Sequence, residues 1–267
     1  MFLKKIQLKF NQYLLELYNR YIFTTNANKI DDETGVRANE CDERKKIAVY
    51  SCIVGGYDNP VEPTIIEEGI DYFMFTDSEI PEYSVWTKID IRNLKGYNRY
   101  SAKELNRRIK LLPYQYLKGY DYTVYVDGNI RINTRIRPVI GKMNGKMIGV
   151  HFHHERDCAY DEAKAVRLLN KADKRSLRKQ IKDYKEQKFP RHYGLYANGV
   201  LICNLNSQET IVLLREWWKS YYKYKTRDQI CLPYAVWKCG TNKKDIYILG
   251  NNVFKNKRFV VEKGHNS

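Results

Sequence analysis

No apolar run in the 267-residue chain approaches the roughly 18 residues that a membrane-spanning helix needs. The apolar residues near the N-terminus are interrupted by Lys4, Lys5, Lys9 and Glu16, which removes the uncharged core of a secretory signal. The six cysteines, Cys41, Cys52, Cys158, Cys203, Cys231 and Cys239, form no CxxC pair and no zinc-ligand spacing. That excludes the common zinc-finger and dithiol redox patterns. Several of these thiols sit in apolar runs, where cysteine behaves as a small hydrophobe. Reduced, structural cysteines in a cytoplasmic protein are expected. Internal repeats and low-complexity tracts are lacking as well.

What the chain has in excess is positive charge and tyrosine. Its 47 Lys and Arg against 31 Asp and Glu leave a formal charge of +16, a field that attracts nucleotide diphosphates, acidic polysaccharide, nucleic acid or anionic lipid. Much of that charge lies in residues 171–188, where basic and acidic residues alternate as on a solvated helix face. The 23 tyrosines have two readings. Their flat faces suit stacking on sugars or bases, and they serve equally well as core residues.

Residues 1–23 carry Phe2, Ile6, Phe10, Tyr13, Leu14, Leu17 and Tyr21 at helical spacing and predict an amphipathic helix. Such a helix docks on its own domain, on a partner chain or peripherally on the inner face of a membrane. Residues 24–45 are polar and aperiodic and read as a linker, leaving 46–267 as a single folded domain. Within it, strand-like runs at 47–54, 72–76, 122–126, 147–150, 199–203 and 246–249 alternate with helical patterns. Ser101 with Glu104 forms a capping box, Pro113 kinks the helix that follows, a long basic helix runs from Asp161 to about Pro190, and another covers 207–222. The expected fold class is α/β, with a mixed, mainly parallel sheet flanked by helices on both faces.

Ligands of open α/β sheets bind beyond the carboxyl ends of the strands, and polar clusters fall at several such ends. Asp127-Gly128-Asn129 follows the strand at 122–126. An extended segment points residues i and i+2 to one side, so Asp127 and Asn129 are expected to offer two oxygens to a hard divalent cation, Mn²⁺ or Mg²⁺. The alternative is a plain strand-ending turn.

The stretch YDYTVYVDGNIRI resembles the metal and nucleotide-sugar motif of GT-A glycosyltransferases. More narrowly, it is similar to the TOD/MUCI-type glycosyltransferase-like family of plants and bacteria. YSCIVGGYD, YFMFTD, HFHHERDCAYDEA and RDQICLPYAVW agree in order and approximate spacing, so the resemblance covers roughly 47–240. It implies a GT-A domain that moves a sugar from a nucleotide-sugar donor, UDP-linked, to a glycan or glycolipid acceptor, in bacterial surface polysaccharide synthesis. By the same resemblance Asp127 is the first acid of the Asp-x-Asp motif, whereas Asn129 departs from it and makes metal dependence the open point. Gly55, Tyr57 and Asp58 start the nucleotide site, with Tyr57 set to stack on the base and Asp77 to meet uracil or ribose. Arg108 and Lys110 are expected to reach the diphosphate, and His153, His154 and Arg156 the donor phosphates or sugar. Asn198 and Gly199, read as preceding a strand, are expected to close over the donor sugar. Asp228, between Arg227 and Gln229 at a helix start, is the preferred catalytic acid, with Glu162 and Arg227 beside it. Asp228→Asn is accordingly expected to spare folding and to remove transfer.

Two other classes fit the composition less well. A nucleic-acid-binding protein would show a continuous basic stripe or a known binding motif, and nucleic acid is not an expected partner. A sugar-phosphate nucleotidyltransferase would carry a basic Gly-rich loop after its first strand, and GGYD has no basic residue. A binding module with a decayed site is the remaining alternative, because of Asn129.

Overall fold

The structure, a computed structural model, describes residues 2–22 and 41–262, with side chains over 6–16 and 41–262. After helix α1 (Phe2–Ile22), the described chain resumes at Cys41 and enters a seven-stranded sheet of order β3-β2-β1-β4-β7-β6-β8. These strands are β1 (Ile47–Ile53), β2 (Ile70–Thr76), β3 (Thr87–Asp90), β4 (Tyr122–Val126), β6 (Ile148–Phe152), β7 (Tyr196–Asn204) and β8 (Ile246–Gly250). Strand β7 alone runs against its neighbours β4 and β6, and the remaining pairings are parallel. The sheet is therefore mixed and mainly parallel, as its apolar strands lead one to expect. All seven residues of β1 are buried, which is what a strand covered on both faces requires.

Alternate residues of β1 divide between two cores. Ala48, Tyr50 and Cys52 pack with α2 (Ala102–Leu111), α7 (Gln208–Tyr224) and α8 (Asp228–Lys238). Ile47, Val49 and Ile53 pack with α4 (Ile136–Met143) and with a two-stranded ribbon of β5 (Ile130–Ile132) and β9 (Phe259–Val261). A third cluster joins α5 (Ala159–Leu168) and α6 (Lys174–Glu186) to α7 and α8 through Tyr184, whose ring stacks on Tyr234 at 4.0 Å. The tyrosine excess goes largely into these cores: Tyr50, Tyr125, Tyr184 and Tyr221 are each at most 1% exposed.

Local expectations meet the structure at several points. The capping box at Ser101 and Glu104 is present, with the Glu104 carboxylate accepting from the Ser101 N–H at 2.8 Å. Pro113 ends a helix rather than bending it: α2 stops at Leu111, and the one-turn α3 (Pro113–Tyr116) starts on the proline. The long helix expected from Asp161 to Pro190 is two helices. Asn170, at a φ of 55°, turns the chain after α5, and the Asp173 carboxylate caps α6 by accepting from Ser176 N at 2.7 Å. The expected linker lies outside the described residues up to residue 40. Its last part rests on the domain, where the Asp42 and Lys45 carbonyls accept from Arg137, both at 3.3 Å.

Trp217 ties the layers together, being fully buried on α7 and donating through Nε1 to the Asp228 carbonyl at 2.9 Å. Trp217→Ala should lower the unfolding free energy by about 3–5 kcal/mol, read from the urea midpoint. Val212→Ala on the same helix, at a side chain 44% exposed, should stay within about 0.5 kcal/mol.

Candidate active site

Strand β4 lies at the middle of the sheet, and its chain continues directly into Asp127. The Asp127 N–H donates to Gly199 O at 2.8 Å, and its carbonyl accepts from Ile130 N at 2.9 Å. Residues 127–130 are thus a hydrogen-bonded turn. It is this turn, rather than extended backbone, that brings Asp127 and Asn129 to the same cleft. Two glycines make the close packing possible. A Cβ on Gly128 would come within 2.9 Å of Ile53 and 3.3 Å of Asp58, and one on Gly199 within 2.9 Å of Ile130 and 3.2 Å of the Asp127 carboxylate.

Beneath this turn is a buried chain of charges. Lys110, 1% exposed on α2, stands 3.5 Å from Asp127 Oδ1 and 3.2 Å from Asp228 Oδ2. Arg107, one helical turn earlier, meets Asp228 Oδ1 at 3.2 Å. Tyr125 donates its hydroxyl to Asp127 Oδ1 at 2.9 Å, and the Lys110 ammonium lies 4.8 Å from the Tyr125 ring centre. Burial opposes the charge on Asp228, yet Arg107, then Lys110 and Arg227, hold its carboxyl far below the usual range.

The segment after β6 builds a second cluster. His153 Nδ1 accepts from the Glu155 and Arg156 N–H groups at 3.3 and 3.2 Å. The ring proton therefore sits on Nε2, which faces Glu162 Oε2 at 3.6 Å. Arg156 Nε donates to the same oxygen at 2.7 Å, and its other end pairs with Glu155 at 2.7 Å. Burial, reinforced by Arg156, lowers the His153 pKa to about 3. With Nδ1 taken up by two backbone donors, the ring turns Nε2 towards Glu162. His154 stacks on His153 and meets Phe254 edge-on.

These two clusters face a cleft of about 930 Å³. Of the residues singled out from the sequence, Tyr57, Asp127, Asn129, Gly199, Arg227 and Gln229 line it, as do His153, His154, Arg156 and Glu162. Others lie elsewhere. Asp77 accepts the Gly55 N–H at 2.9 Å and so braces the loop after β1. Asp58 packs against Gly128. Arg108 turns to the far side of α2, donating to Tyr116 at 2.9 Å and covering Trp218; helical geometry separates it from Lys110 by two residues, and so by about half a turn. Asn198 and Gly199 sit inside β7, not before it, and Asn198, 1% exposed, points away from its cleft-lining neighbours Ala197 and Gly199. Asp228, at the start of α8 as expected, has a side chain only 4% exposed, paired with Arg107 and Lys110 beneath the cleft.

Sequence reasoning missed Tyr125, whose position two residues before Asp127 on β4 was the available signal, and Gln12, Leu15 and Glu16 of α1, which line the same cleft. Among the described residues, one group of three or more His, Cys, Asp or Glu has ligand atoms within 4.8 Å of one another: Cys158, Asp161 and His192. It lies outside the cleft, and Arg191 and Lys164 already neutralise Asp161 at 3.0 and 3.1 Å.

The fold is thus a mixed, mainly parallel α/β sheet whose central strand ends in an acid-bearing turn at the cleft. The chain belongs to the TOD1/MUCI70 glycosyltransferase-like domain family, whose sequence profile matches residues 23–265. No curated protein matches it in sequence. Among solved structures it is similar to the mannosyltransferase Ktr4p of S. cerevisiae, at 12% identity and TM-score 0.42 over 85% of this chain and 74% of that one. Mouse xyloside xylosyltransferase 1 gives 10% and 0.44 over 76% and 84%. The galactosyltransferase LgtC, in complex with donor and acceptor sugar analogs, gives 12% and 0.38 over 69% of each chain.

The buried charges make two measurable statements. Asp228→Asn leaves Arg107 and Lys110 without their shared partner, so the variant should lose about 3–5 kcal/mol of stability, contrary to the near-normal folding expected from sequence. His153 and His151 are both held near 3 in the folded state by burial, while the unfolded chain takes up protons below about 6.5. Folding stability should therefore fall as pH drops from about 6.5 towards 3. His153→Asn should flatten that decline in urea titrations across pH, and an unchanged slope would remove His153 from the account.

Proposed function

We propose that the cleft binds a UDP-linked sugar and transfers the sugar to a glycan or glycolipid acceptor. The observation that carries this reading is the Asp127–Asn129 turn, set over the buried Lys110 and opening onto a cleft lined by Glu16, Glu155 and Glu162 as well. A cleft lined by several acids favours sugar transfer over nucleic-acid binding, which calls for a continuous basic surface. Tyr57, 59% exposed at the rim, offers its ring to the base. A role in bacterial surface polysaccharide synthesis suits the family's bacterial branch and the +16 charge, which draws anionic substrates.

A divalent cation fits the residues at the turn. Asp127, with a side chain 38% exposed, supplies one carboxylate and Asn129 one amide oxygen. Mg²⁺ is commonly held by one or two carboxylates, with diphosphate oxygens and water completing the shell. Such an ion neutralises charge on a departing diphosphate. Lys110 partly neutralises Asp127, so the ion would depend on the diphosphate for much of its affinity. Asp228, itself paired with Arg107, holds Lys110, which in turn meets Asp127, and this makes Asp228 a positioning residue. Of the acids that could stand in for it beside the sugar (Asp157, Asp161 and Glu162), Glu162 alone lines the cleft. We assign it to orient the sugar or the acceptor hydroxyl, itself held by Arg156 and His153.

UDP should raise the melting temperature further with Mn²⁺ than with chelator, and Asp127→Ala should abolish that increment. Equal stabilisation in chelator would transfer the phosphate-binding role to basic side chains. Glu162→Gln should keep UDP binding while lowering transfer at least about a hundredfold, and normal turnover by this variant would remove Glu162 from the chemistry.

A further inference from the structure

Helix α1 sits on the domain by the wrong side for an amphipathic helix. Its inward contacts are Leu15, 8% exposed, and Asn11, whose Nδ2 donates to the Leu168 carbonyl of α5 at 2.9 Å. Gln12 and Glu16 turn towards the cleft that they help to line. Leu8, 41% exposed, lies on the Leu15 side, but most of the exposed apolar side chains lie on the other: Ile6, Phe10, Tyr13 and Leu14 are 48%, 54%, 57% and 38% exposed. At 100° per residue these four cover about a third of the circumference, centred well over 100° from Leu15. A helix that docked to stabilise its own domain would bury that stripe.

We infer that the outer face of α1 binds an anionic lipid bilayer surface. Charge selects this occupant. The helix sequence carries Lys4, Lys5, Lys9 and Arg20 against Glu16 alone, and the whole chain is +16. Two copies meeting face to face would bring like charges together, whereas an anionic surface attracts basic residues while the interfacial region takes up aromatic and aliphatic side chains. Among the described residues no helix is long and apolar enough to cross a membrane, so α1 lies along the surface. Because its opposite side lines the cleft, the cleft mouth is then about one helix diameter, roughly 10 Å, from the bilayer.

The test is co-sedimentation of the full chain with vesicles of phosphatidylcholine, alone or with phosphatidylglycerol at about a third. The protein should pellet with the anionic vesicles, remain in solution with the neutral ones, and be released as salt rises. Phe10→Ser combined with Tyr13→Ser keeps the charge and should weaken partitioning at least about tenfold. Its UDP-dependent thermal stabilisation should be unchanged, so a failure of membrane binding is distinguishable from a failure of the donor site. Three results would each overturn the inference: no sedimentation with anionic vesicles, equal sedimentation with both, or undiminished binding by the double variant. A concentration-dependent dimer that the double variant abolishes, in the absence of vesicle binding, would instead assign the face to a second copy.

Discussion

A lysine buried between two carboxylates organises the centre of this protein. Taking the Lys110 ammonium out of water is costly unless it is fully paired, and the pairing enlists Asp127 from the end of β4 and Asp228 from the start of α8. Arg107 adds a second cation to Asp228, so that two positive and two negative groups form one row from α2 to the cleft floor. The elements that carry these groups come from three separate parts of the chain. Their mutual placement follows from the sheet and from Trp217, which holds the first residue of α8 against α7.

That arrangement assigns different work to two acids that look alike in sequence. Asp127 keeps one side open to the cleft, while Asp228 is enclosed and spends its charge on neighbouring cations. In the same cleft, His153 is kept neutral and aimed by two backbone N–H groups, so that its remaining ring nitrogen faces Glu162. The cleft therefore presents two carboxylates whose positions are set from behind: Asp127 by Lys110 and Tyr125, Glu162 by Arg156 and His153. Preorganised groups of this kind cost little to align when a substrate arrives.

Helix α1 extends the same cleft with residues distant in sequence from every motif. Its polar side completes one wall, and its apolar side is turned outward. Among the described residues, the helix meets α5 through the Asn11 amide, which donates to the Leu168 carbonyl.

Six of the seven strands of the main sheet, its two-sided burial and the capping box were legible in the sequence because they depend on local periodicity and near-neighbour chemistry, whereas the short β3, β5 and β9 were not. The end of a strand at Asp127 was legible for the same reason, as was the helical character of 2–22, while the turn at 127–130 stood only as the alternative to extended backbone. Sequence could not separate Lys110 from Arg108, since both are cations on one helix, and only the packing of α2 against the sheet decides which of them faces Asp127. Nor could it tell that Asp228 is enclosed: a helix-start acid beside an arginine reads the same whether water or a buried lysine lies in front of it. The α/β class and the position of the motif at a strand end thus came from the order of residues along the chain. Which acid is open, which cation is buried and which way α1 turns its apolar face were decided by tertiary contacts, because burial and charge pairing are properties of groups that meet only after the chain has folded.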